Sequence, residues 1–141
     1  TGSPPYFPPG SGVMPQDSQK AHARFELRGD VSDYAQAAAA HLAPDGWFVL
    51  CFPSPQKQRA LDALASAGLK VVRLRDVIPR ETLPPLFSLF ACRLVDAGPL
   101  TIDPPLTVRF ESGQLTDEMN AVRRVFGFAP QLGAFAAKGE R

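Results

Sequence analysis

Apolar residues recur along the chain with two periods, and the switches between them predict its elements. From Asp30 to Ala43, Val31, Tyr34, Ala38 and Leu42 return at helical spacing within an alanine run that favours helix. Asp30 or Ser32 can cap its start, and Pro44-Asp45-Gly46 breaks it. Residues 21–28 predict part of an earlier helix with Phe25 inward. Trp47 to Phe52, WFVLCF, is a continuous apolar run between Gly46 and Pro53. It predicts a strand buried on both faces, as in a parallel sheet. Ser54 can cap the next helix with Pro55 at its first position, Leu61, Leu64 and Ala65 face inward, and Gly68 closes it.

Leu69 to Ile78, LKVVRLRDVI, alternates at Val72 and Leu74 and predicts a strand with one wetter face. Residues 79–85 connect it to a second apolar strand, Leu86 to Val95. No helix separates these two strands, so they are expected to pair as an antiparallel hairpin. A last helix is expected from Thr116, its cap, to Phe126, with Met119, Val122 and Phe126 at helical spacing and Gly127 as its stop. Residues 129–141 read as a weakly ordered tail. The order helix–strand–helix–strand–strand is an α/β pattern that begins midway. Residues 1–17 have loop composition and should follow a strand, yet the sequence shows none ahead of them.

At 141 residues the chain fits one domain. Fifteen Lys and Arg against fourteen Asp and Glu leave a formal charge of +1, so nucleic-acid contact would need local patches rather than a global field. No apolar run reaches the ~20 residues of a membrane helix. The proline-rich start does not resemble a signal peptide. Cys51 and Cys92 sit in apolar runs and read as buried thiols of a reducing, cytoplasmic compartment. Two histidines, His22 and His41, are too few for a zinc constellation, and no metal is expected.

Ser3-Pro4-Pro5-Tyr6 is the most informative tetrapeptide. Two prolines fix the backbone on either side of which Ser3 and Tyr6 stand. The Pro4 carbonyl and the Ser3 hydroxyl can each accept a hydrogen bond from a substrate amine. Tyr6 can stack on a planar base or amide. Methylation of an exocyclic amine needs such a set: two acceptors help turn the amine lone pair out of conjugation while stacking holds the ring.

The tetrapeptide resembles motif IV, (N/D/S)-P-P-(Y/F/W), of class I S-adenosylmethionine-dependent amino-methyltransferases. The likeness continues through QKAHARFE at 19–26, the alanine-rich helix, the Pro-Asp-Gly turn, WFVLCFP, LKVVRLRDV and LTVRFESGQLTDEMNAVRRVFGF. In this order the segments, residues 1–128, resemble the C-terminal half of the tRNA-Val (adenine-N6) methyltransferase family. The resemblance implies an α/β fold: the second half of a Rossmann-like sheet ending in an antiparallel hairpin, with the final strand inserted between its neighbours. It implies methyl transfer from S-adenosylmethionine to adenine N6 in tRNA. Ser3, Pro4, Pro5 and Tyr6 would carry the catalytic site, Ser3 would also touch the cofactor, and Phe7, Lys20 and Arg24 would meet the substrate. Ser3 stands where adenine-N6 enzymes usually carry Asn or Asp, and Ser is commoner in cytosine-N4 enzymes, so the target base stays open. The family's glycine-rich cofactor loop and ribose-binding acid are not found here, and Gly10-Ser11-Gly12 does not replace them. The expectation is a chain cut just before motif IV, inactive alone, whose partner is the missing N-terminal half. Its first strand would expose an edge open to homodimerisation.

Other readings compete. Protein-glutamine N5-methyltransferases use Asn-Pro-Pro-Tyr on an amide nitrogen. A non-catalytic binding module would need no cofactor loop. Ser-Pro-Pro-Tyr-Phe-Pro-Pro can also serve as a polyproline II ligand. Asp103-Pro104-Pro105-Leu106 lacks the aromatic stacker and reads as a connecting loop. Lys20, Arg24 and Arg28 would share a helical face, meeting tRNA phosphates or pairing with Glu26 or Asp30. Arg73, Arg75 and Arg80 are open in the same way. Tyr6→Ala is expected to abolish turnover and leave folding nearly intact.

Overall fold

The computed structural model describes residues 1–94 and 98–131. Its helices begin where short polar side chains accept otherwise free amides. Asp17 accepts from Gln19 N and Lys20 N and starts α1 (Ser18–Arg24). Asp30 accepts from Ser32 N and Asp33 N and starts α2 (Val31–His41); the Asp33 carboxylate accepts from Asp30 N in return, which closes a capping box. α1 ends earlier than 28. Phe25 is buried as expected, but it is extended and bridges to Phe7 in parallel instead of continuing the helix. Arg28 therefore leaves the helical face that Lys20 and Arg24 share.

β1 (Phe48–Pro53) forms from the WFVLCF run, with Phe48, Leu50 and Phe52 buried and Val49 exposed. The expectation of burial on both faces is corrected. The core gathers Val31 and Ala35 of α2 with one face of the sheet. On the other face Val49, Leu89, Ala91, Arg73 and Arg75 line a shallow groove of about 190 Å³. Ser54 is not the expected cap: Ser54–Gln56 make a single 3-10 turn, and Ser54 Oγ shares a hydrogen bond with Ser88 Oγ at 2.8 Å. α3 (Lys57–Ser66) follows and buries Ala60, Ala63 and Leu64, while Ala65 is exposed. Gly68, at φ 76°, ends the turn in a conformation that favours glycine.

β2 (Lys70–Ile78) and β3 (Phe87–Arg93) pair antiparallel, as the missing crossover helix predicts. β3 is also antiparallel to β1 and lies between the two. Two short strands, β4 (Thr101–Ile102) and β5 (Leu106–Thr107), pair with β2 in parallel, and Asp103–Pro105 connects them. Two residues cannot display a period, so neither strand was expected. α4 (Asp117–Val125) starts at Thr116, whose hydroxyl accepts from Met119 N, and gives way at Gly127. The architecture is mixed α/β with an open, mixed sheet. Val95 of the expected strand and residues 132–141 of the expected tail lie outside the described residues. Among the described residues no helix is long and apolar enough to cross a membrane.

Candidate functional site

A strand residue does precede Ser3. Gly2 N donates to Val49 O at 2.8 Å, and Cys51 N donates to Gly2 O at 3.0 Å, a parallel bridge to Leu50. One residue carries no periodicity, which is why the sequence hid it. Glycine suits the spot, because a Cβ would meet the Phe48 and Tyr34 rings at 3.1–3.2 Å. Ser3-Pro4-Pro5-Tyr6 thus leaves the carboxyl end of a parallel pair, the end where open α/β sheets bind ligands.

Pro4 and Pro5 are buried, Pro4 completely, so the turn is built into the molecule rather than hung from it as a free polyproline tail. Tyr6 is half-buried. Its ring meets Phe52 and Phe87 edge-on, at 6.4 and 6.1 Å between centroids, and leans on Phe7 at 4.7 Å. Phe7 in turn lies 5.6 Å from Phe25. The main chain is held as firmly. Tyr6 N and Phe7 N both donate to Arg24 O, at 3.2 and 3.1 Å, and Glu26 N donates to Phe7 O at 2.9 Å. Gln56 Nε2 donates to Tyr6 O at 3.0 Å. Ser3 is exposed, and among the described residues neither its hydroxyl nor the Pro4 carbonyl has a hydrogen-bond partner.

Five predicted residues, Ser3 to Phe7, therefore form one continuous turn, and Arg24 joins them through its carbonyl. Lys20 and Arg24 are exposed one helical turn apart on α1, beside that turn. Arg28 stands apart, lining a groove of about 480 Å³ with Tyr34, His41 and Trp47. Glu26 and Asp30 do not pair with Lys20, Arg24 or Arg28. Both bind Arg59 of α3, Asp30 at 2.9 Å. Arg73 pairs with Asp103 and Arg75 with Glu118, so these two arginines brace β2. His22 Nδ1 lies 2.7 Å from Ser18 O within α1.

Sequence reasoning missed Phe25, Phe87, Gln56 and Arg59 as neighbours of the tetrapeptide. Gln56 and Arg59 lie some fifty residues along the chain, and no local spacing points from them to Tyr6. Cys92 is buried as expected, and burial pushes its thiol up to about 12; Cys51 is only half-buried, which corrects the expectation, and its thiol is raised as well, so both stay protonated at neutral pH. Gly10 lies in an exposed turn closed by Ser11 N and Oγ on Pro8 O. No strand leads into this turn, and α1 starts only at Ser18 on its own Asp17 cap.

No family model and no curated protein matches the sequence. Among solved structures the chain is similar to a predicted O-methyltransferase from Agrobacterium tumefaciens, with 19% identity and a TM-score of 0.56. The match covers 72% of this chain and 48% of that one, so the chain spans about half the length of that protein. The two share a fold over the matched region.

Proposed function

We propose that the chain forms the acceptor side of a class I, S-adenosylmethionine-dependent N-methyltransferase, built as the C-terminal half of a Rossmann-like domain. The acceptor is an exocyclic amine, adenine N6 in tRNA being the first choice. One observation carries this reading: Ser3-Pro4-Pro5-Tyr6 follows a residue paired in parallel with β1 and ends against an aromatic cluster at the sheet's carboxyl edge. The antiparallel insertion of β3 and the fold shared with the methyltransferase neighbour support it.

In this reading Ser3 Oγ and the Pro4 carbonyl accept the hydrogens of the amine. The Tyr6 ring stacks on the flipped-out base, and Phe7 walls the pocket. Lys20 and Arg24 steer the polynucleotide through its phosphates. The cofactor supplies the methyl group when bound. The described residues do not form its glycine-loop cradle, since no strand–glycine loop–helix unit is among them. That cradle is assigned to a separate N-terminal half, and this chain's residues bind and orient the acceptor only.

The test is methyl-labelled S-adenosylmethionine given to the full-length protein, with the N-terminal half that carries the cofactor cradle supplied, together with bulk tRNA, and separately with soluble protein. Label on tRNA adenine is the expected result. Label on cytosine would follow the serine at position 3 instead. Label on protein glutamine would replace RNA by the N5 alternative. A folded protein that labels nothing would leave a non-catalytic binding module and overturn the proposal.

A further inference from the structure

The Tyr6–Phe7 segment is held from two directions. On one side lies the main chain of Arg24–Glu26. On the other, the only side chain among the described residues that reaches the Tyr6 main chain is Gln56, in the turn before α3. A primary amide has two ends, and here both are used. Nε2 donates to Tyr6 O at 3.0 Å, and Oε1 accepts from Arg59 Nη1 at 3.2 Å. Guanidinium only donates, so the Gln56 oxygen must face Arg59 and its NH2 must face Tyr6. Arg59 is itself fixed, bonded to Glu26 and, at 2.9 Å, to the Asp30 carboxylate that caps α2. The hydrogen bonds to Glu26 and Asp30 outweigh burial, which works the other way, and hold the Arg59 pKa above the usual guanidinium value. It stays a donor at every accessible pH.

We propose that Gln56 is a positioning residue, its amide aimed by Arg59, that fixes the Tyr6 main chain and with it the ring of the acceptor site. This rests on the reading of Tyr6 as the stacking group. The polarity of the chain Arg59→Gln56→Tyr6 makes the inference testable apart from stability. Gln56→Glu keeps the length and strengthens the pairing with Arg59, but it turns a carboxylate oxygen toward the Tyr6 carbonyl, acceptor against acceptor. The contact with Arg59 survives and the contact with Tyr6 is lost.

The experiment compares the unsubstituted full-length protein with Gln56→Glu and with Gln56→Met, which keeps length and removes both bonds. Amide hydrogen exchange at Tyr6 and Phe7 and titration with adenosine are the readouts. In Gln56→Glu the two amides are expected to exchange about tenfold faster while those of α3 stay protected, since one lost hydrogen bond is worth about that factor. Adenosine binding is expected to weaken by a similar factor. Gln56→Met should match both effects even if it melts earlier. Unchanged exchange at Tyr6 and Phe7 in both variants overturns the positioning role. Adenosine that binds all three proteins equally well also overturns it. An unsubstituted protein that binds no adenosine sinks the reading of Tyr6 and leaves the exchange result to report on the clamp alone.

Discussion

Tyr6 carries two duties that a single substitution would confuse. Its ring is a packing element against Phe7, Phe52 and Phe87, and in the proposed function it is also the platform for the acceptor. The expectation that Tyr6→Ala leaves folding nearly intact is therefore revised. A half-buried aromatic removed from such a cluster is expected to cost about 2 kcal/mol, less than the loss for a fully buried ring. Tyr6→Phe separates the two duties. It keeps the ring, and the Tyr6 hydroxyl has no hydrogen-bond partner among the described residues, so stability by urea denaturation should stay within about 0.5 kcal/mol. Turnover should survive Tyr6→Phe and vanish in Tyr6→Ala. Activity that falls equally in both would assign the hydroxyl a role that the stacking argument does not contain.

Four elements meet at the fully buried Ser88 hydroxyl. It sits on β3, donates to Asp76 Oδ1 of β2 at 2.6 Å and shares a bond with Ser54 at the end of β1. Lys57, the first residue of α3, pairs with the other Asp76 oxygen at 2.8 Å. Burial works to raise the Asp76 pKa, but the Lys57 and Ser88 hydrogen bonds outweigh it and hold the carboxyl below its ordinary value. A depressed carboxylate stabilises the fold above its unfolded pKa near 3.9, and that stability is lost as pH falls through the lower folded value. Ser88→Val is expected to cost about 1–2 kcal/mol at neutral pH, because it removes the buried hydroxyl that bonds both the half-buried Asp76 carboxylate and Ser54. It should also make the acid loss smaller and complete it at a higher pH, because one of the bonds depressing Asp76 is gone and its folded pKa moves back toward the unfolded one. Urea midpoints measured from about pH 5 to pH 2 would show both effects, and parallel curves for the two proteins would remove Asp76 from the account. This junction was not legible in the sequence, where Ser54 read as a helix cap. What was legible is local: the Asp30 and Thr116 caps, Gly68, the hairpin implied by a missing crossover helix, and the backbone fixed by Pro4 and Pro5. Gly2, Phe25, Gln56 and Arg59 act only through partners distant in sequence or through a single paired residue, and no period or spacing announces such contacts.

The sheet of the described residues has two outer edges, and proline limits what each can do. On the outer side of Gly2 the chain offers Thr1 and Ser3, then Pro4 and Pro5, which have no amide to give. At the other side β4 is two residues long, and Pro104-Pro105 follows Asp103. Homodimerisation through a strand edge remains our proposal at this scale, and these prolines weaken it, since a proline has no amide to donate to a ladder. The competing surface is the open face of the sheet, where exposed Val49 lines a shallow groove with Leu89 and Ala91. Sedimentation over a rising concentration series is expected to show reversible association with a dissociation constant near the millimolar range, the weak end for so small a contact. Ser3→Pro removes the outward donor next to the proline pair, since the Gly2 amide is spent on Val49. If the edge is the contact, Ser3→Pro abolishes the association and Val49→Lys leaves it. If the open face is the contact, Val49→Lys abolishes it and Ser3→Pro leaves it, and the edge proposal is withdrawn in favour of a partner that covers the sheet. The distinction bears on function. Edge pairing between copies would occlude the strand residue that delivers Ser3-Pro4-Pro5-Tyr6, whereas a covered face leaves that carboxyl edge open to an acceptor.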